Sequence, residues 1–404
     1  MKALHAPREG TSYDPFPVRF FALYFVFYAA QALYGTYMNL FLGSVGFSKT
    51  QIGLMVSLST ACLLITQPFW GILSDKARYK NTVVAVLMGM AGLFSLAFPR
   101  IQKPGVMTLF VCLMAISFFP IAPLKDNITL EYLNDKKWDF GQIRMGGTIG
   151  YALTVLVVGI LIQDAYVRIF PMYAGIMFLA MLLLFTLPRV HGHRHGENRA
   201  PVRVIFQDPA LLCLLFFNLA YMLGTSMFYN YYPLYFTGIG GNSSLVGIML
   251  FVCAIAEVPF FFFAGRLIKR FGVYAMILTA GVATSLRWFL LYVLTDPVLI
   301  IAANALHGVG YVMVMYSMAT HINTHAPKEL RATAQSLIAL ISALFSRVLF
   351  GYVGGVASDR FGVENMMLFS SLVVLAASLM FAVWFKLVEK KAATTQSRRE
   401  EASK

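Results

Sequence analysis

Gly71-Ile72-Leu73-Ser74-Asp75-Lys76-Ala77-Arg78-Tyr79-Lys80 is a short polar break between two apolar runs, 50 to 73 and 82 to 99. Each run is long enough to cross a bilayer as a helix. A weaker echo, Gly265-Arg266-Leu267-Ile268-Lys269-Arg270-Phe271-Gly272, separates the runs 244 to 268 and 273 to 294. Working outward from these two breaks, further apolar runs cover 18 to 42, 105 to 131, 142 to 163, 166 to 188, 208 to 236, 297 to 322, 331 to 356 and 363 to 387. A chain in hydrocarbon satisfies its own backbone hydrogen bonds, and these runs are too long for barrel strands, so all twelve read as helices. The expected fold is an all-α membrane protein of two pseudo-symmetric six-helix halves.

Composition agrees. Of 404 residues, 59% are hydrophobic and only 12% charged, against about a quarter charged in a soluble protein, and the mean hydropathy is +0.70. No sizeable soluble catalytic domain is left over. Cys62, Cys112, Cys213 and Cys253 all sit inside apolar runs, which argues against a disulfide framework or a structural metal. The net charge of +14 is a topology signal. One set of loops and tails holds Lys76, Arg78, Lys80, Lys136, Lys137, Arg189, Arg203, Lys269, Lys328 and Lys390 among others, whereas the opposite loops hold only Lys49, Arg100, Lys103, Arg168 and Arg360. The positive-inside rule then places both termini in the cytoplasm of an inner-membrane protein, and no basic domain remains for nucleic acid.

The expected organisation is a cytoplasmic N-terminal segment 1–17 without a signal peptide, a six-helix bundle 18–188, a cytoplasmic linker 189–207, a second bundle 208–387 and a disordered tail 388–404. His191, His193 and His195 alternate within the linker; they read either as a metal-binding tract or as part of a flexible basic connection, and no nearby acid or cysteine completes a ligand set.

The break at Gly71, Asp75 and Lys76, of the form GxLxDK followed by basic residues, resembles the cytoplasmic signature of the major facilitator superfamily. Pro123-Leu-Lys-Asp126-Asn127, Gly141-Gln-Ile-Arg144-Met-Gly-Gly147-Thr-Ile-Gly150-Tyr151, Ala256-Glu257-Val-Pro259, Leu286-Arg287-Trp288, Leu306-His307-Gly308 and Ala326-Pro-Lys-Glu-Leu-Arg331-Ala-Thr-Ala-Gln335 narrow the likeness. In this order they resemble the phenylpropionate-permease-like branch, related to lactose permease and the nucleoside–proton symporters. The resemblance covers essentially all twelve helices. It implies a major facilitator fold, substrate contacts at Asp126, Arg144 and Tyr151 flanked by Asn127 and Thr148, and a proton-coupling cluster at Arg287 and His307. It also places Arg347 where lactose permease has a lysine. The coupling carboxylate expected after His307 is Gly310 here, and the lysine expected before it is Asn304. Lactose transport therefore does not follow.

Charges inside a bilayer are costly and must face protein or water. Lys125 and Asp126 are adjacent and point about 100° apart; Asp126 is expected in the cavity reaching Arg144, with Lys125 at the interface of the halves or snorkelling. The pair Asp126 and Arg144 reads as substrate contact or as a structural ion pair. Glu257, deep in the second half, reads as the coupling acid, since desolvation favours its neutral form and a neighbouring cation favours its charged form. A permanently paired packing role stays open, as does a helix-to-helix hydrogen bond for His307. In the deep set Lys125, Arg144, Arg287 and Arg347 outnumber Asp126 and Glu257, so Arg287 and Arg347 are also expected to contact the solute; arginine grips carboxylate or phosphate in bidentate fashion, which favours an anionic or polyhydroxylated solute. Tyr28 and Asn230 are further cavity candidates. At Gly71 the missing side chain is expected to permit close helix contact, Asp75 to pair across the halves or cap a helix, and Lys76 to face the cytosol.

These observations imply a monomeric, proton-coupled carrier that imports a small-molecule substrate by alternating access, with no cofactor beyond the proton and no metal. An efflux antiporter is the nearest alternative. A channel or membrane enzyme lacks support, since the chain shows no repeated selectivity filter, no HExxH and no nucleophile motif.

Overall fold

The computed structural model of the chain describes residues 15–134, 136–190, 209–325, 335, 338 and 340–402. Among these residues the secondary structure is helical throughout, with no strand. Crossings one to six are Val18–Ser44, Lys49–Lys76, Lys80–Arg100, Pro104–Leu133, Phe140–Ile162 and Tyr166–Phe185. Pro209–Gly238 is the seventh. Ser243–Val293 is a 51-residue helical stretch in which Gly272, at φ +78°, turns the chain, so its two arms are the eighth and ninth crossings. Glycine is the residue that accepts this left-handed backbone without strain. Pro297–Ile322, Leu340–Phe361 and Val363–Trp384 complete the expected twelve.

The last helix runs on from Val363 to Ala402, where a disordered tail was expected from 388. Ala, Lys, Arg and Glu dominate this stretch, all good helix formers, and a formed helix elongates far more easily than it nucleates. The linker histidines, the segment 1–14 and the run 326–334 with Arg331 lie outside the described residues.

Large apolar side chains such as Ile65, Phe262 and Met380 point outward, 78%, 79% and 72% exposed. This is the arrangement a lipid-facing surface needs. Close approach inside the first half rests on the glycines of the fifth crossing: a Cβ at Gly146 would meet the Phe21 carbonyl oxygen at 2.7 Å, and one at Gly150 would run into the Phe25 carbonyl. Small residues at a helix contact let backbones pack closely where no hydrophobic drive exists between helices. Gly71, expected to serve such a contact, has nothing within 4 Å of its Cβ position.

The first bundle meets the second through crossings two with eleven and five with eight. Each contact carries a carboxylate seated on the start of a helix belonging to the other half. Asp359, near the end of the eleventh crossing, accepts from the Thr50 backbone N–H at 2.8 Å, the Thr50 hydroxyl at 2.7 Å and the Lys49 N–H at 3.3 Å. Asp164, just past the fifth crossing, accepts from the Ser243 N–H at 2.7 Å, while its own N–H donates to the Ser243 hydroxyl at 3.0 Å. Ser243 and Ser244 also donate to the Gly159 carbonyl, at 3.0 and 3.1 Å. The two contacts are counterparts under the pseudo-symmetry, and each places negative charge where unpaired N–H groups and the helix dipole favour it. Both lie at the end of the bundle remote from the linker, which they seal. Asp75, expected to pair across the halves, is instead about half exposed and 3.9 Å from Lys80 within its own bundle.

Two outcomes follow. Gly150→Leu is expected to cost about 1–3 kcal/mol by overpacking and to lower the melting temperature in detergent, while Gly71→Ala leaves it unchanged. Asp164→Ala combined with Asp359→Ala, each removing a cap worth about 0.5–2 kcal/mol, should widen spin-label distances between residue pairs spanning the sealed end; unchanged distances would show that the carboxylates do not hold it.

Candidate functional site

A cavity of about 490 Å³ lies between the halves. On the first crossing it is lined at Tyr28, Gln31, Gly35, Asn39 and Leu42, a spacing of three and four residues that marks one helix face. Gln31 and Asn39 were missed from sequence, though two amides recurring on that face amid apolar residues were the available signal. On the fifth crossing Arg144, Thr148 and Tyr151 repeat the same spacing into the cavity. The Tyr28 ring packs against Gly147, where a Cβ would collide with it, and the Arg144 guanidinium sits 4.5 Å from that ring's centre.

Asp126 does not reach Arg144. Its Oδ1 accepts from Lys125 Nζ at 2.7 Å and from the Tyr24 hydroxyl at 2.5 Å. Lys125, expected to turn away, is fully buried and stands 3.1 Å over the Tyr24 ring. Neighbours on a helix diverge, yet a four-carbon stem is long enough to fold back, and a buried ammonium without its carboxylate would be far worse. Asn127 faces the other way and accepts from Lys80 Nζ at 3.1 Å, beside Glu131 at 2.9 Å. Neither Asp126 nor Asn127 lines the cavity.

In the second half Glu257, His307 and Tyr311 line it, whereas Arg287, also expected to contact the solute, stands behind them, 2% exposed and held by Asn304 and His307. Arg287 donates through Nε and a terminal nitrogen to Asn304 Oδ1, at 3.0 and 2.5 Å, and through its other terminal nitrogen to His307 Nδ1 at 2.9 Å. Its face lies over Phe228 and Trp288, 4.3 and 4.5 Å from the ring centres. Guanidinium is only ever a donor, so His307 Nδ1 is the acceptor and the ring proton resides on Nε2. That nitrogen lies 3.2 Å from Glu257 Oε1. The chain Arg287, His307, Glu257 thus fixes the imidazole and aims it at Glu257, the one carboxylate that lines the cavity among the described residues. Tyr311, four residues on and stacked on His307 with ring centres 5.4 Å apart, is a second residue missed from sequence; its spacing from His307 was the signal. Tyr229, also lining the cavity, meets His307 edge-on at 6.5 Å.

Arg347 reaches the cavity from a π-helical turn, Leu344–Leu349. Such a turn displaces backbone carbonyls from their helical partners, and here hydroxyls take them. Ser57 of the first half donates to the Val348 carbonyl at 2.7 Å, and Ser226 of the seventh crossing donates to that of Ser346 at 2.6 Å. The Arg347 guanidinium lies 5.2 Å from the Phe119 ring centre. Asn230 lines the cavity too, donating to Ser226 Oγ at 3.1 Å, and its carbonyl accepts from Asn39 at 3.2 Å across the halves.

With this geometry in place, comparison with known proteins is informative. A profile described as the MFS_1 like family matches residues 18–370. The uncharacterized transporter YwbF of Bacillus subtilis (strain 168) is 24% identical over 331 residues, covering 81% of this chain and 83% of its own length. The maltose permease of Geobacillus stearothermophilus is 25% identical over 375 residues, covering 92% and 94%. The crystal structure of the nucleoside transporter NupG, a permease of Escherichia coli (strain K12), superimposes with a TM-score of 0.80 at 17% identity, covering 91% of this chain and 98% of that one. At that identity the likeness speaks for the fold.

Asn304→Leu would leave Arg287 buried without the oxygen that takes two of its donors. The expected cost is about 3 kcal/mol, read as a lowered melting temperature, whereas Asn127→Ala, whose partner Lys80 keeps Glu131, should cost much less.

Proposed function

The chain belongs to the MFS_1 like family, a family of multi-pass membrane transporters matched here over residues 18–370, and on that footing we propose that it takes up a small organic solute, anionic or polyhydroxylated, together with protons by alternating access. The observation that carries this is the cavity between the halves. It holds cations from each half, Arg144 and Arg347, a ring of tyrosines and amides, and among its lining residues one carboxylate, Glu257. An apolar, acid-lined chamber would suit an exporter of cationic compounds; this one carries two arginines against one carboxylate among its described lining residues. The maltose and nucleoside permeases among its relatives carry small organic solutes, which agrees in scale with a 490 Å³ chamber.

In the proposed cycle both termini are cytoplasmic in an inner membrane, and the sealed end faces outside. Glu257 takes a proton while the outer end is open. Solute then binds between Arg144, Thr148 and Tyr151 on one side and His307, Asn230 and Arg347 on the other. Closing the outer end seats Asp164 and Asp359 on the opposing helices, and solute and proton leave inward. Arg287 acts through His307: a protonated Glu257 no longer answers its charge, so the chamber is more electropositive when loaded with a proton. That couples proton and solute binding through one field.

Adding a panel of sugars, nucleosides and small carboxylates to de-energised cells expressing the chain, with Glu257→Gln alongside, tests the proposal. One class should alkalinise the medium, and the variant should abolish this while retaining counterflow of labelled solute. Counterflow in the wild type without any proton movement would sink the coupling assignment and point to a uniporter or to another ion.

A further inference from the structure

The cavity's charges do not balance, and the imbalance identifies what it carries. Lys125 is answered by Asp126 at 2.7 Å. Arg287 is answered by Glu257 through His307. Arg144 and Arg347 have no carboxylate within ion-pairing distance among the described residues; aromatic side chains surround them, Tyr28 and Tyr311 near Arg144, Phe119 and Tyr34 near Arg347. Both line the cavity, one from each half. Two uncompensated guanidinium groups inside a membrane-embedded chamber are unfavourable unless a ligand supplies the counter-charge.

Their placement adds detail. Tyr28 and Tyr34 are six residues apart on one helix, a rise of about 9 Å. Arg144 sits at the level of Tyr28, while Arg347 shares its ring, Phe119, with Tyr34, whose ring centre is 6.5 Å from that of Phe119. The cations are therefore staggered along the bundle, Arg347 nearer the sealed end. Arg347 is also the more firmly held of the two, because the π-turn that carries it is tied by hydroxyls from both halves.

We infer that the transported solute is an anion whose carboxylate or phosphate group is gripped by Arg347, with Arg144 as a second cation one level nearer the linker end. The inference rests on the reading of this cavity as the transport site. Neutral sugars and nucleosides leave both guanidinium charges unanswered. An aryl or alkyl carboxylate, a dicarboxylate or a phosphate monoester supplies the missing charge, and a bidentate pairing is what a guanidinium does best.

The test is binding to the full-length chain in detergent, followed by thermal shift and calorimetry, with no requirement for transport. The carboxylate arm is acetate, benzoate and succinate; the phosphate arm is glucose 6-phosphate with inorganic phosphate; the neutral arm is glucose, maltose and adenosine. One anionic arm should stabilise the wild type, and the stronger arm names the source. Arg347→Gln should weaken that binding roughly ten- to hundredfold, with Arg347→Lys intermediate. Unchanged affinity in Arg347→Gln would overturn the assignment. Should that variant not fold, competition in the wild type decides: stabilisation by a neutral compound that no anion displaces, or by no anion at all, overturns the inference. Counterflow of a neutral solute with no anion carried refutes the inference and leaves the carrier reading standing. An anion that binds through Arg347 but shows no counterflow keeps Arg347 as an anion-binding group and overturns the reading of the cavity as a transport site.

Discussion

A charge placed among apolar helices has to be answered within hydrogen-bond reach, and the arrangement of the whole chamber follows from how each charge is answered. Lys125 is answered by its own neighbour Asp126 and by the face of Tyr24. This removes both from the chamber and leaves Arg144 facing it alone. Arg287 is answered at one remove, through Asn304 and His307, which leaves Glu257 with one edge committed and the rest open to the cavity. A local pairing choice on the fourth crossing and a relay on the tenth thus decide which groups remain available to a solute.

The architecture was legible in the sequence because membrane insertion writes a strong signal: a long apolar run between polar breaks reads as a helical crossing. Twelve crossings and two halves were read from it, and the helical spacing that brings Arg144, Thr148 and Tyr151 to one wall was visible as well. What was not legible depended on side-chain reach. Lys125 was expected to point away because helix geometry separates adjacent residues, yet a flexible stem overrides a Cβ direction when the alternative is an unpaired ammonium. Asn127 was drawn off by Lys80, a residue 47 positions earlier whose proximity only the packed bundle creates.

Arg347 was expected in the cavity and lines it, but how its backbone is held there was beyond sequence reasoning for another reason. It depends on a π-turn, which has no strong compositional signature, and on hydroxyls at Ser57 and Ser226 that satisfy the displaced carbonyls. Because one of those hydroxyls belongs to the first half, the backbone that aims this guanidinium is sensitive to how the halves sit against each other. A side chain in the chamber and the relative position of the bundles are mechanically linked there, through a few hydrogen bonds and no long pathway.

The seal at the end remote from the linker is shared between backbone N–H groups of Lys49, Thr50 and Ser243 and the hydroxyls of Thr50, Ser243 and Ser244. Main-chain donors are present whatever the side chain, proline excepted. The share of the seal made by main-chain donors therefore survives a change of side chain, while the share made by the Thr50 and Ser243 hydroxyls and by the two aspartates does not. Such a closure asks for the persistence of a few side chains, and leaves the loops around them open to change.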